Sequence, residues 1–304
     1  MESVIITGGT GLIGTALTRL LLDRGYKVIV LTRRAEKGTN PSVTYAHWDI
    51  EQQTIDIEAI QRADYIIHLA GANVGEKRWT TSRKQEILES RTRSSVLLYK
   101  ALQENPNKVK KVISASATGF YGEYTGHTFT ETDLPANDYL ANTVVAWEKS
   151  ISQVTSLGKK LVIFRTGIAL SRDGGALKEF YKPLRFGFAT ILGSGDQYIS
   201  WIHLQDLVRL YFNAIVNDQL EGVYNAVAPK PVRHKELVLS MAKAAKGNSY
   251  VTSYVPAFAL KLALGEMSVE VLKSVYVSSQ KIQDTGFQFS YPTITEAMEQ
   301  LFSK

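Results

Sequence analysis

Cysteine is absent from the 304-residue chain, which excludes a disulfide framework, a thiol nucleophile and a thiolate metal site. Long apolar runs are missing too. None approaches the ~18 to 20 residues needed to span a bilayer, and the most apolar late stretch, Val255 to Leu264, is short and carries Lys261. Met1-Glu2-Ser3 leads straight into Val4-Ile5-Ile6, so no secretory leader is expected. An excess of one charge is lacking: 35 basic residues against 29 acidic give +6, spread along the chain, with no nucleic-acid recognition motif. Lys108, Lys110 and Lys111 read as a solvated turn before a strand rather than a binding stripe. The five histidines (His47, His68, His127, His203, His234) show no paired ligand spacing, so no metal is expected. No G-x-S-x-G elbow is present, which disfavours a serine hydrolase. Internal repeats, low-complexity tracts and Pro-rich linkers are also lacking. What remains is a folded, soluble, cytoplasmic protein expected to act on a small molecule, without nucleic-acid or membrane partners.

Strand and helix alternate over the first 165 residues. Val4 to Thr7 is a short apolar run, as expected of a strand buried on both faces. A helix follows with Leu12, Ile13, Ala16, Leu17, Leu20 and Leu21 on one broad face, closed by Gly25. Lys27–Thr32, Val43–Trp48, Tyr65–Leu69, Lys111–Ser116 and Lys160–Arg165 read as further strands, with long helices at Ser82–Gln103 and Asp138–Ser156. This alternation predicts an α/β fold, a doubly wound parallel sheet with ligands at the carboxyl ends of its strands. Beyond Arg165 the pattern loosens around Gly174, Gly175, Gly187, Gly193 and Gly195, then gives a helix from Leu204 to about Val216 and a strand near Val223–Val227. We expect residues 1–168, with 199–222 returning to them, to form the domain built on this sheet. Residues 169–198 and 223–304 are expected to form a smaller substrate-side lobe.

Thr7-Gly8-Gly9-Thr10-Gly11-Leu12-Ile13-Gly14 joins the first strand to the first helix. Its glycine spacing lets backbone approach a pyrophosphate at a helix N-terminus, and the strand–turn–helix context supports that reading over a plain Gly-rich turn. An NAD-binding protein is expected to place Asp or Glu about 20 residues on. Arg33 and Arg34 stand there instead, suited to a 2′-phosphate, so NADP(H) is favoured over NAD(H). A solvated basic loop is the plainer alternative, and Glu36 could still reach a ribose. Asp49 could bond the adenine amino group, and Leu69-Ala70-Gly71 would bring backbone against the cofactor.

These residues resemble the extended short-chain dehydrogenase/reductase superfamily, which includes nucleotide-sugar epimerases. More narrowly, the chain is similar to its atypical epimerase family protein branch, also called nucleoside-diphosphate-sugar epimerase-like. The motifs that carry the resemblance are Ile6-Thr7-Gly8-Gly9-Thr10-Gly11, Asn73 with Arg78-Trp79-Thr80, Glu89-Ser90-Arg91, Ile113 to Thr118 with Phe120-Tyr121-Gly122, Trp147-Glu148, Arg165-Thr166-Gly167, Gly193-Ser194-Gly195 through Ser200-Trp201-Ile202-His203, and Asn225 to Pro229. The resemblance implies a Rossmann-type fold, a nicotinamide dinucleotide and an unidentified small substrate, with a nucleotide-sugar as the analogy. Asn73, Arg78, Trp79, Arg165, Trp201 and His203 are taken as substrate-side residues; Arg78-Trp79, beyond the fourth strand, reads as a substrate clamp or as a surface lid stapled by Trp, and His203 reads more readily as a core or helix-end residue than as a catalyst.

In that superfamily a Ser or Thr orients the substrate oxygen, a Tyr moves the proton, and a Lys four residues later lowers the Tyr pKa. Ser116 and Thr118 fit the first role by position. Tyr139 is the nearest match to the Tyr, but Thr143 stands where Lys belongs, and a shift of one gives Leu140 and Val144. An unassisted Tyr, with a pKa of about 10, is phenolate in only about one molecule per thousand at pH 7. General acid–base help is worth ~10² to 10⁴ in rate. Tyr121 is the second candidate, with a packed tyrosine as its alternative. Arg91 shares a helix stripe with Leu88, Ser95, Leu98 and Leu102, so it points inward and needs a partner, a backbone carbonyl cluster in the favoured structural reading or a substrate anion, and it is counted among the residues of the cofactor site. The missing dyad keeps a second class open, a dinucleotide-binding sensor or scaffold with little turnover. A homodimer through the two long helices is the family-style expectation, although their apolar stripes could equally face the sheet.

Overall fold

The computed structural model describes residues 1–34 and 40–303. Glu36 lies outside the described residues. The expected alternation is observed: β1 (Ser3–Thr7), α1 (Leu12–Asp23), β2 (Lys27–Thr32), β3 (Val43–Asp49), β4 (Thr54–Ile55), α2 (Ile57–Arg62), β5 (Tyr65–His68), α3 (Thr81–Glu104), β6 (Lys111–Ala117), α4 (Tyr139–Ser152) and β7 (Lys160–Thr166). Then come β8 (Ile168–Leu170), α5 (Gly175–Arg185), β9 (Phe188–Leu192), β10 (Tyr198–Ile199), β11 (Trp201–His203), α6 (Leu204–Val216) and β12 (Gly222–Ala226). The remainder is β13 (Val232–Arg233), α7 (His234–Lys246), β14 (Val251–Val255), α8 (Ala257–Leu264), α9 (Ser268–Leu272), α10 (Gln280–Gln283) and α11 (Ile294–Phe302).

One eight-stranded sheet has the order β12-β7-β6-β5-β1-β2-β3-β4, parallel throughout except for the short β3–β4 pair. Every residue of β1 is buried because the pleat sends alternate side chains into two cores. Val4 and Ile6 pack with Leu17 and Leu21 of α1 and Leu207 and Leu210 of α6. Ile5 faces the other way, toward Ile60 of α2 and Leu97 and Leu98 of α3. From β1 the chain moves outward to β2 and β3, then returns to β5 on the opposite side. The crevice at the carboxyl ends of β1 and β5 is therefore the switch point where such sheets take ligands. A third apolar cluster joins Leu170, Leu177, Ile191, Trp201, Met241 and Met298, away from the sheet. Short two-stranded sheets pair β8 with β11, β9 with β14 and β10 with β13.

Two expectations are corrected. The Val223–Val227 strand, assigned to the smaller lobe, is β12 and pairs with β7 at the edge of the main sheet, so the sheet continues past residue 222. Lys111 is fully buried, not solvated. Its ammonium donates to the carbonyls of Ala214 (2.9 Å) and Asn217 (2.8 Å), groups that the end of α6 leaves without helical partners. Lys108 and Lys110 pair with Asp64 and Glu2. Among the described residues no helix is long and apolar enough to cross a membrane.

Candidate functional site

The glycine turn is dictated by space. Gly8 has φ +68°, and a Cβ there would lie 3.0 Å from the Leu69 carbonyl carbon and oxygen. At Gly14 a Cβ would sit 2.4 Å from the Gly8 oxygen, so α1 and the turn meet backbone to backbone. Gly11 N–H donates to that same oxygen at 3.0 Å and fixes the turn. As N-cap of α1, Gly11 brings no side chain to the helix's free N–H groups, and the first turn holds no acidic residue. Such an end is a receptor for an anion. Leu12 and Ile13 leave the end open because they pack sideways, Leu12 against Gly174 and Gly175 and Ile13 against the core.

Thr7 closes the β1 side of the crevice. Its hydroxyl lies 2.8 Å from Nδ1 of buried His68 and accepts from the N–H groups of Leu69 (3.1 Å) and Ala70 (3.2 Å). Gly71 continues past the Arg91 guanidinium, which donates to the carbonyls of Ala72 and Ile87 and covers the Trp147 ring at 5.0 Å. A Cβ at Gly71 would stand 3.1 Å from the Arg91 Cζ. Burial pulls the Arg91 pKa down to about 10. The carbonyl cluster required of an inward-pointing arginine is thus present, and it braces the loop. Arg33 and Arg34 are exposed beyond β2. Asp49 accepts from the N–H groups of Glu51 and Gln52, and those bonds hold its carboxyl below the usual range.

The loop after Ala72 is self-stapled. Trp79 is buried, donates to the Val74 carbonyl at 2.8 Å and meets the Tyr139 ring edge-on at 5.1 Å. Asn73 accepts from Gly75 N–H and, through its carbonyl, from Arg83. Arg78 is exposed and lies against Gly265, where a Cβ would be 2.7 Å from Nε. Trp79 therefore holds the loop to α4 rather than presenting a face to a substrate.

At the ends of β6 and β7 the structure brings the expected catalytic residues together but turns them inward. Ser116 donates to Glu148 Oε1 at 2.5 Å. Glu148 also receives Arg165 through two bonds of 2.9 Å, in fork geometry. Arg165 lies 3.4 Å over the Phe120 ring and donates to the Tyr121 hydroxyl at 3.1 Å, which in turn donates to Asn225 Oδ1 at 2.7 Å. Tyr121 is fully buried, and burial pushes its pKa up to about 12 against the pull of Arg165. Neither a proton-transfer role for Tyr121 nor a substrate role for Arg165 fits side chains so enclosed. Tyr139 donates to the Lys84 carbonyl at 2.8 Å, and burial raises its pKa as well. Thr118 stays half-buried, its hydroxyl 3.5 Å from the Thr166 carbonyl.

Trp201 and His203 also leave the candidate site. Trp201 is buried in the third core and donates to the Lys230 carbonyl. His203 caps α6 by accepting from Gln205 N–H, and its other nitrogen meets Gln300 at 2.9 Å. Glu148 and Asn225, noted in sequence only as parts of motifs, and Glu131, whose carboxylate accepts from Asn225 N–H, are the residues whose part in the site was missed. A strand-end arginine that must be buried needs a carboxylate, and Trp147-Glu148 on the facing helix was the available signal. Among the described residues no group of three or more His, Asp or Glu is placed to hold a metal.

Residues 4–226 match the NAD dependent epimerase/dehydratase family, and residues 255–301 match a domain of unknown function, DUF1731. An epimerase family protein of Staphylococcus saprophyticus is 36% identical over 99% of both chains. One from Staphylococcus aureus is 36% identical over the whole of both. Human epimerase family protein SDR39U1, solved with NADPH, superposes with a TM-score of 0.88 at 27% identity over 99% of each chain. A nucleoside-diphosphate sugar epimerase from Corynebacterium glutamicum gives 0.78 at 31% identity, covering 99% of this chain and 58% of that longer one. With its glycine turn, its parallel sheet and a match across nearly three quarters of its length, this chain belongs to the NAD dependent epimerase/dehydratase family.

Proposed function

We propose that the crevice between β1 and β5 binds NADP(H) and that the protein is an NADP(H)-dependent oxidoreductase or epimerase-like enzyme of atypical extended short-chain type. The observation that carries this reading is the uncapped N-terminus of α1 beneath a turn whose glycines leave no room for side chains. Gly8, Gly11, Leu12, Ile13 and Gly14 would cradle the pyrophosphate with backbone. Arg33 and Arg34 would meet the 2′-phosphate, as suits two exposed guanidinium groups. Asp49 would face the adenine, while Leu69, Ala70 and Gly71, braced by Arg91, would wall the other side. Bound there, a nicotinamide supplies or accepts hydride, and the chain contributes position and electrostatics. The NADPH-bound human relative supports the phosphate reading, and the bacterial sugar-nucleotide epimerase supports a nucleotide-sugar substrate.

A second reading, a dinucleotide sensor or scaffold with little turnover, is favoured by one specific observation. The hydroxyls of Ser116, Tyr121 and Tyr139 are all spent on internal acceptors. Calorimetric titration of nucleotide-free protein with NADPH and NADH at one salt concentration tests the shared part. NADPH is expected to bind at least tenfold more tightly, and replacing Arg33 and Arg34 by Ser should abolish that preference while sparing NADH. Equal affinity for the two dinucleotides sinks the arginine assignment, and absence of binding sinks the proposal. Substrate-dependent NADPH oxidation then separates enzyme from sensor.

A further inference from the structure

His68 is the buried titratable group at the crevice that neither function above employs. Its surroundings fix its proton. The Thr7 hydroxyl accepts from Ala70 N–H and from Leu69 N–H, the latter shared with the Thr7 carbonyl. With both lone pairs engaged, its one proton must point at His68 Nδ1, 2.8 Å away. Nδ1 is then the acceptor, and the ring proton sits on Nε2. That nitrogen lies 3.2 Å from Ser95 Oγ and 3.3 Å from Ser94 Oγ. Both serines donate to the Arg91 carbonyl, at 2.8 and 2.9 Å, so both are free to accept. The bonds therefore run in one direction from the Leu69–Ala70 backbone through Thr7, His68 and the serines to α3.

We propose that His68, as the neutral Nε2–H tautomer, is a positioning residue for the dinucleotide, holding the glycine turn and the 69–72 loop at their binding separation. It acts through Thr7. Thr7 immediately precedes Gly8, where an added Cβ would reach the Leu69 carbonyl, and Arg91, one turn from Ser95 on α3, lies where a Cβ on Gly71 would point. The ring thus links Thr7, next to the glycine turn, to α3, whose Arg91 bonds the Ala72 carbonyl. A second ring proton would oppose the Thr7 hydroxyl. Complete burial and the nearby Arg91 charge exclude that cation, lowering the His68 pKa to about 3.

The inference rests on the proposed cofactor site, and the test separates the two. NADPH affinity is measured by calorimetry for the wild type, His68→Phe, His68→Asn and Thr7→Val, with melting temperature alongside. His68→Phe fills the space without either bond and should weaken NADPH binding at least tenfold while staying folded. His68→Asn can restore the acceptor for Thr7 and should recover most of the affinity. Thr7→Val should match His68→Phe. Nitrogen NMR of the wild-type imidazole should report the neutral Nε2–H form from pH 5 to 8. Wild-type affinity in folded His68→Phe overturns the inference and leaves the cofactor site standing. A wild type that binds no dinucleotide overturns both. If the variants do not fold, an Nδ1–H or charged ring in the wild type overturns it, and the Nε2–H form upholds it.

Discussion

The two halves of the strand-end surface treat their polar groups in opposite ways. After β1 the helix end is left bare, since α1 begins without a side-chain cap, and beyond β2 Arg33 and Arg34 stand in solvent. Around β6 and β7 the side chains are self-sufficient, running Ser116, Glu148, Arg165, Tyr121, Asn225 in one closed chain of bonds. The first half has donors waiting for an anion, and the second has already supplied its own. The two arrangements can coexist because the turn follows β1 whereas the closed network is built on β6, β7 and β12, different strands of one sheet.

The largest expected effect lies in the closed half. Arg165→Met leaves the Glu148 carboxylate, 12% exposed, with Ser116 as its remaining donor. Breaking such a buried pair costs about 3–5 kcal/mol. Urea unfolding should show that loss, with part recovered in Glu148→Gln/Arg165→Met, and NADPH affinity should stay within about twofold provided the variant is folded. A folded Arg165→Met that loses NADPH would break the comparison, since the network would then serve the ligand.

Next in size is Gly14→Ala in the open half. Its Cβ would fall 2.4 Å from the Gly8 oxygen and 2.5 Å from the Gly9 Cα, so backbone must move. We expect NADPH affinity to drop at least a hundredfold, equivalent to about 2.7 kcal/mol. Gly11→Ala is the control. With φ −78° and its nearest neighbour at 3.3 Å, it should keep the melting temperature and lose affinity less steeply. Equal calorimetric losses for both would mean that approach to the ligand, not the turn itself, sets the cost.

The same division explains how much was legible in sequence. The glycine turn could be read because its requirements are local, a few residues of backbone approaching one another. The parallel strands could be read because burial on both faces writes an unbroken apolar run, as in Val4-Ile5-Ile6. Tyr121, Arg165 and His203 looked functional because they are polar residues at strand ends, and what silences them is remote. Asn225 is 104 positions from Tyr121, and Gln300 is 97 from His203. Lys111 was misplaced for the same reason, since its acceptors lie 103 and 106 residues away at the end of α6. The β12 strand was found but put in the wrong lobe, because its pairing with β7 is a long-range choice that periodicity does not encode. Glu148 was closer, 17 residues from Arg165, and a search for the arginine's counter-charge would have found it.

The smallest effect concerns Glu270, a mostly buried carboxyl beside the N-terminus of α4. Glu270 on α9 has Lys273 as its near cation, at 3.9 Å, but that ammonium sits 2.7 Å from Asp138. Burial pushes the Glu270 carboxyl above its usual range; Lys273 opposes the shift, and Asp138 and Glu123 add to it. Below the ordinary Glu pKa both folded and unfolded chains carry the proton, and no penalty exists. As pH rises through the folded pKa, the folded chain must ionise a group held in an unfavourable place, and stability is lost. Glu270→Gln removes that loss. Thermal unfolding should find the variant more stable than wild type at pH 8, by about 0.5 kcal/mol, and equal to it near pH 4. A variant less stable at pH 8 would mean that the Glu270 charge is needed to hold Lys273 in place.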